Sequence, residues 1–428
     1  MSSIVSYQNK KVSFGKLLFD LDLVLVLVFV AAILFIFASM KAFKSAELLK
    51  DPEAKKSVPT PMFIKKLRLV NFKNHRELDI DFNSSVVSLI GRNGIGKTNL
   101  MDAIFYLSFT KSAINSSDQQ NINHGEDFFS IIGTLNKEDK DYKVQCSFQN
   151  GSKKVFLVDN NPYEKLSDHI GEFPAVLMSP NDTDLVRESS DLRRKFFDAL
   201  LCQIDKEYFR CLVKYNHYLK QRNSLLKLFA ERKKHDGDLI EKYDLELINN
   251  GSIVWEKRRD YLAAYLPYFE SNYRELAGKE VAQIAYQSDF AKGNLYERFK
   301  KHFARDLAMQ RTGFGIHRDD FEFLLGGKPM KKIGSQGQQK SFVIALRLGQ
   351  YAMISNEKKF KPILLLDDIF DKLDDKRIKN LTQILGKNSL GQIFITDARP
   401  ERTNELVREI DAKVEIFEVV EDEVNKIS

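Results

Sequence analysis

Gly91-Arg92-Asn93-Gly94-Ile95-Gly96-Lys97-Thr98 stands between an apolar run at 85–90 (SVVSLI) and a helix-forming stretch, NLMDAIFYLSF. This G-x4-G-K-[ST] pattern constrains the fold more than any other feature, because it needs a buried strand on one side and a helix N-terminus on the other. The glycines let backbone N–H groups wrap an anion, and the helix dipole adds to the attraction. Lys97 is expected to reach the β- and γ-phosphates of a nucleotide, with Thr98 holding Mg²⁺.

About 270 residues later, four apolar residues in Pro362-Ile-Leu-Leu-Leu end in Asp367-Asp368. Such a run predicts a buried parallel strand whose C-terminal end enters a ligand crevice. Asp367 is expected to hold Mg²⁺ and Asp368 to orient or deprotonate the attacking water. Gly334-Ser335-Gln336-Gly337-Gln338-Gln339-Lys340 lies between the two motifs, about 30 residues before the acidic strand. It reads as a second anion cradle opening a helix. One phosphate loop already supplies a full cradle, so this turn is expected to cap the γ-phosphate held by another subunit. A plain helix cap is the alternative.

At 428 residues the chain is too long for one small core and predicts two lobes with terminal extra. With 43% hydrophobic and 29% charged residues the composition suits a globular protein, and a net charge of +7 is compatible with a polyanionic partner without selecting one. Cys146, Cys202 and Cys211 form no CxxC pair and no zinc spacing, as expected for buried thiols in a reducing compartment.

Alternation on both sides of Asn74 in residues 63–82 predicts two strands of a half-exposed sheet, and residues 130–160 predict short strands with turns at Asn150-Gly151 and Asn160-Asn161. The spacing then changes. Phe197, Leu200, Ile204, Tyr208, Leu212, Tyr215 and Leu219 predict one amphipathic helix. Leu247, Val254, Leu262, Tyr265 and Phe269 predict a second, with Pro267 as a possible kink and a turn around Lys233–Asp238. From about Ile333 the α/β pattern resumes, with a helix from Ser335 and strands at Pro362–Leu366 and Gln392–Thr396.

The N-terminal sixty residues are unlike the rest. Leu23 to Met40 is uncharged, with Ser39 its one polar residue, and is flanked by Lys10, Lys11, Lys16, Lys41 and Lys44. Three readings stay open: a marginal membrane-spanning helix, an over-extended start with the true one at Met62, or an apolar appendage.

Taken together, NFKNH at 71–75, GRNGIGKTN at 91–99, LMSPNDTDLV and DLRRKFFD within 177–198, GFGIHRDDFEF at 313–323, GSQGQQKSFVIALRLGQ at 334–350 and LLLDDIFDKLD resemble the ABC-type ATPase heads of the SMC superfamily, and within it the RecF family. The resemblance spans about 63–420. It implies an α/β fold, an ABC-type ATPase head with a phosphate loop (62–180 and 310–428) and an inserted α-helical lobe (181–309), after an extension at 1–61. By it, Gly91 to Asn99 with Ser335, Gly337 and Gln338 bind ATP, Thr98 and Asp367 hold Mg²⁺, and Lys97 and Asp368 are catalytic. Ser335 and Gly337 act in trans, Asp371 and Asp374 lie across a dimer seam, Thr396 takes the switch position, and Asn181 or Asp182 serves at the Q-loop position.

The implied function is ATP-driven dimerisation on duplex, gapped or junction DNA in recombinational repair and replication-fork maintenance. Hydrolysis would be slow, the protein would help RecR and RecO load RecA, and it would be cytoplasmic. Arg193, Arg194 and Lys195, with His317, Arg318, Asp319 and Asp320, are candidates for DNA contact or inter-lobe signalling, or form a salt-bridge cluster. Lys331, Lys332 and Lys340 face a phosphate backbone or solvent, and Trp255 is read as core. The rivals are a membrane-associated ABC-type regulatory or transport ATPase, against which the helical lobe and Thr396 argue, and a nuclease fused to such a head, for which no further metal cluster appears.

Overall fold

Strands that are buried along their whole length need cover on both faces, and Val86–Ile90, Ile363–Asp367 and Ile393–Asp397 receive it. The computed structural model describes residues 59–370, 373–386, 390–397, 413–421 and 423–427. These three strands sit at the centre of a six-stranded sheet. Its order is Glu423–Lys426, Val414–Val420, Val86–Ile90, Ile393–Asp397, Ile363–Asp367, Ala175–Met178, parallel except at the first, edge strand.

Val87, Leu89, Leu365 and Phe394 face the helix Lys97–Phe109 and a second six-stranded sheet. Val86, Leu364, Leu366 and Ile395 face the helix Gln336–Lys358. The second sheet is antiparallel throughout, ordered His75–Asp81, Phe63–Phe72, Phe128–Lys137, Lys140–Gln149, Val155–Val158, Asn161–Pro162. The hairpin expected around Asn74 is its first turn. The strands expected to be short within 130–160 include two of ten residues, joined by a tight turn in which Glu138 and Asp139 take positive φ. The second expected turn lies one residue earlier, at Asp159 and Asn160, and Asn161 already belongs to the next strand.

The single amphipathic helix expected from Asp191 onward is two, Ser190–Ile204 and Lys206–Arg232. Asp205 divides them. Its backbone is extended, and its carboxylate accepts from Tyr208 N at 2.8 Å, from Lys257 Nζ at 2.6 Å and from Tyr261 Oη at 3.1 Å. A side chain that caps one helix and is fixed by another interrupts the pattern although the hydrophobic spacing continues. The next helix, Gly237–Ala277, runs 41 residues, about 60 Å, and is unbroken through Pro267. Its second half (Leu262, Tyr265, Phe269, Tyr273) packs on the head through Phe342 and its neighbours, so it is a brace and not a free arm.

A three-stranded antiparallel sheet, Ala282–Gln287, Asp320–Leu325 and Lys328–Pro329, went unread in the sequence. It joins the segment assigned to the helical lobe to the segment assigned to the head. Trp255 is half-buried against the lobe's core, with the Arg259 guanidinium 5.1 Å over its ring. Cys146 and Cys211 are buried and Cys202 half-buried, all three free thiols.

Buried ion pairs hold the lobe's helices together and link the lobe to the head segment. Arg258 binds Asp198 and Asp319, and Arg222 binds Asp244 and Asp306, with both guanidiniums nearly inaccessible. Arg193 reaches Asp320 through two bonds of 2.8 and 2.9 Å, and Arg194 donates to the Asp319 carbonyl at 2.6 Å. Most of the cluster left open between DNA contact and salt bridges is therefore internal scaffolding, while Lys195 is exposed and pairs with Asp191.

His169 is buried and His317 half-buried, and both are neutral. His317 Nε2–H donates to the Thr312 carbonyl at 3.0 Å, so Nδ1 accepts from the Tyr215 hydroxyl at 2.8 Å. His169 Nε2–H donates to the Leu107 carbonyl at 2.6 Å. Burial pushes both imidazoles down to about 4. Because the folded values lie below the unfolded one, the unfolded chain binds more protons between about pH 6.5 and 4. Stability is complete above that window and is lost as pH falls through it, by roughly 3 kcal/mol per histidine. Urea unfolding across the window should show this slope, and His317→Asn should remove about half of it, leaving the His169 part; a pH-independent midpoint would contradict the assignment.

Candidate nucleotide site

The strand Val86–Ile90 delivers the chain into the 91–98 loop, and two glycines there are required by close approach. Gly91 has φ 150°, and a Cβ on it would lie 2.5 Å from the Val419 carbonyl of the adjacent strand. Gly96, with φ 118°, caps the helix Lys97–Phe109, and a Cβ would lie 2.5 Å from Asn74 Nδ2 and 2.8 Å from His75 Nε2. Gly96→Ala adds a left-handed strain of about 1–3 kcal/mol to that overlap. It should lower the melting temperature and weaken nucleotide binding together, by calorimetry; an unshifted transition would show that the loop yields freely.

Arg92, Asn93 and Gly94 form the exposed crest of the loop. Lys97 is buried, its ammonium curled back onto the carbonyls of Gly91 at 2.8 Å and Arg92 at 3.0 Å. The first N–H groups of the helix behind it have no partner within the helix.

Residues outside the 91–98 pattern brace the loop. Asn74 Nδ2 donates to the Ile95 carbonyl at 2.8 Å, and Asn99 Nδ2 donates to Asn74 Oδ1 at 2.6 Å. Asn99 thus points toward the first hairpin turn. Lys73 and Asp102 form a buried pair at 2.7 Å, and Asp102 also accepts from Ser112 Oγ and Ala113 N, both at 2.6 Å. The NFKNH run carried a resemblance, but nothing in its spacing announced that it would meet the loop.

The acidic strand ends beside the loop. Thr98 Oγ1 donates to both Asp367 oxygens at 3.0 Å, and Thr396 Oγ1 donates to Asp367 Oδ1 at 2.7 Å while accepting from Asp368 N at 3.0 Å. The helix after the loop and two parallel strands thus meet at one carboxylate, and Thr396 orders both acids. Burial raises the Asp367 carboxyl above the ordinary range, against the hydrogen bonds from Thr396 and Thr98 and the charge of Lys97. Adjacent hydroxyl and carboxylate oxygens at the mouth of a phosphate loop suit Mg²⁺, which takes hard oxygens and keeps water and phosphate for its other positions.

Asp368 takes φ 46° and lines a cleft of about 980 Å³ with Thr98, Asp102, Asn181 and Asp367. Asp182 lines the same cleft but is bound there to Arg347 at 2.6 and 2.9 Å, which leaves Asn181 as the exposed member of that pair.

None of Ser335, Gly337 and Gln338 lines this cleft. Ser335 caps the helix Gln336–Lys358 in a reciprocal box: Gln338 N donates to Ser335 Oγ at 3.2 Å and Ser335 N donates to Gln338 Oε1 at 2.8 Å. Gln338 Nε2 donates to Glu280, which also accepts from Tyr273 Oη at 2.8 Å and lies 3.8 Å from Arg377. Arg377 also pairs with Asp374. Glu280 and Arg377, unread in the sequence, therefore link the turn to the long helix and to Asp374. Asp371 and the apolar segment 23–40 lie outside the described residues. Among the described residues no helix is long and apolar enough to cross a membrane, and no cluster of three metal-ligating side chains occurs.

Comparison with known proteins agrees with this geometry. The family model described as RecF/RecN/SMC N terminal domain matches residues 63–424. The DNA replication and repair protein RecF of Cytophaga hutchinsonii is 46% identical over 344 residues, covering 80% of this chain and 91% of that protein. The chain belongs to the RecF family. Its Flavobacterium johnsoniae relative, also a DNA replication and repair protein RecF, is 41% identical over 357 residues, 83% of this chain and 99% of that one.

Among solved structures, the recombination mediator protein RecF-ATP in the RecFOR pathway superposes with a TM-score of 0.78 at 29% identity, over 86% of this chain and 99% of that chain. The Smc head domain of Pyrococcus furiosus bound to the C-terminal domain of ScpA reaches 0.52 at 16% identity, over 86% and 96%, and shares the fold alone. The RecF-family chain is thus an α/β ATPase-type head of the SMC class, as its motifs imply.

Proposed function

We propose that this RecF-family chain is an ATP-dependent DNA-binding protein of recombinational repair and replication-fork maintenance, whose heads pair around two ATP molecules. The observation that carries the reading is the split of the chemistry. Thr98, Asp367, Thr396 and Asp368 meet at one strand end beside the phosphate loop, while Ser335, Gly337 and Gln338 stand outside the cleft.

In this mechanism the loop N–H groups and Lys97 hold the β- and γ-phosphates. Lys97 exchanges its two loop carbonyls for phosphate oxygens. Thr98 and Asp367 would hold Mg²⁺, which when bound neutralises charge on the phosphate oxygens. Asp368 orients the attacking water and takes its proton, and Thr396 keeps the two acids in register. Ser335, Gly337 and Gln338 of a second copy close over the γ-phosphate with Asp374 at the seam, so hydrolysis reopens the pair. Turnover is slow and times release from DNA. RecR and RecO are the expected partners and RecA the indirect beneficiary, in the cytoplasm.

The test is a gel shift of duplex and gapped DNA with and without ATP, at two salt concentrations. ATP should tighten binding and the complex should contain two chains. Equal binding in both nucleotide states would favour a different ATPase role.

A further inference from the structure

We infer that the outer face of the helix Lys206–Arg232 is a docking surface for the sugar–phosphate backbone of double-stranded nucleic acid. The inference rests on the DNA-binding reading above and gives it a location. Tyr208, Cys211, Tyr215, Arg222, Leu226 and Phe229 are this helix's buried stripe. On the opposite side Lys214, His217, Lys220, Gln221, Ser224 and Lys227 are all exposed. Stepping 100° per residue places these six within one face, and from Arg210 to Lys227 it runs about 25 Å.

The face is free of acid. No Asp or Glu occurs from Tyr208 to Ala230. Between Lys206 and Asp236 there are nine basic and three acidic residues, an excess of six where the whole chain carries +7. The partner in the hairpin, Gly237–Ala277, has eight acidic against five basic residues, so the field is polarised across the lobe.

The lysines are also uncommitted. Arg210 approaches Glu207 at 3.9 Å, but Lys214, Lys220 and Lys227 have no ion-pair partner among the described residues. The helix Leu295–Met309, tied to this one through Arg222 and Asp306, adds exposed Lys300, Lys301 and Arg305.

The chemistry favours a polyanion over an acidic protein. Protein interfaces are built round aromatic, Met and Arg anchors with lysine depleted. Here the charges are lysines beside one arginine, Arg210, separated by Asn216, Gln221 and Ser224; Val213 is an exposed apolar side chain among them, but no Phe, Tyr or Trp is exposed there. Lysine ammoniums at intervals match a uniform row of phosphates, and side-chain amides and hydroxyls supply further phosphate bonds. Such bonds position a duplex without reading its sequence.

The test is the triple variant Lys214→Gln, Lys220→Gln, Lys227→Gln in the full chain with ATP. Binding to a short fluorescent duplex of mixed sequence is followed by anisotropy from about 50 to 200 mM salt. Every lysine–phosphate pair that is removed takes about 0.9 from the slope of log K against log salt, so the variant should read about 2–3 shallower, on any duplex sequence. ATP-dependent pairing of the heads should be unchanged. A control removes the same charge elsewhere, through Lys153→Gln, Lys165→Gln and Lys328→Gln, and should keep the parental slope. An unchanged slope in the helix variant, or an equal decrease in both variants, overturns the inference while leaving the DNA-binding reading intact. Absence of duplex binding by the parent protein sinks that reading and this inference with it.

Discussion

Lys97→Ala is expected to abolish ATP-dependent pairing of two chains. The Lys97 ammonium is the buried cation of the loop, already within 3.0 Å of two loop carbonyls and therefore positioned beside the crest where phosphates would lie. Hydrogen bonds to charged groups contribute about 1.5–3 kcal/mol each, so losing two weakens ATP binding roughly a hundredfold or more. Nucleotide titration by calorimetry with sizing in parallel checks this. Parental pairing at saturating ATP would remove the loop from the mechanism.

Ser335→Arg has an effect of comparable size by a different route. Ser335 lines no part of the cleft beside its own phosphate loop, so its replacement leaves ATP binding by the single chain intact. Loss of the cap costs about 1 kcal/mol of helix stability, too little to unfold the head. In the proposed pair the arginine would instead fill the space that a neighbour's γ-phosphate enters, and closure and turnover should be lost.

Mixing the two inactive variants discriminates between shared and private sites. A chain with Lys97→Ala still offers Ser335, and a chain with Ser335→Arg still offers its phosphate loop, so each mixed pair contains one complete site. Random pairing in an equal mixture restores at most about a quarter of parental turnover. No recovery, with mixed pairs present by sizing, would mean that Ser335 serves its own chain.

Much of the head was legible because its signals are local. The phosphate loop, the strand ending in Asp367-Asp368 and the turn at Ser335 each declare themselves within eight residues. Continuous apolar runs at 86–90 and 363–366 also announced strands covered on both faces, and two core layers provide that cover. The helical lobe was harder. Hydrophobic spacing runs straight through Asp205, and what ends the helix there is a carboxylate held by Lys257 and Tyr261, some fifty residues on. The strand Ala282–Gln287 is equally silent, since its partner Asp320–Leu325 lies beyond an intervening helix.

Sequence alone determined the chemistry available to this chain: which residue types grip a phosphate, which acids end a buried strand, and which turn opens a helix. Those properties depend on side chains a few positions apart. Tertiary structure decided their company. It brought Asn74 to the loop, Thr396 between the two acids, Glu280 to the turn at Ser335, and kept Ser335 out of its own cleft. Neighbours across hundreds of residues are selected by the packing of whole layers, and no short pattern encodes a partner that only the closed core brings within 3 Å.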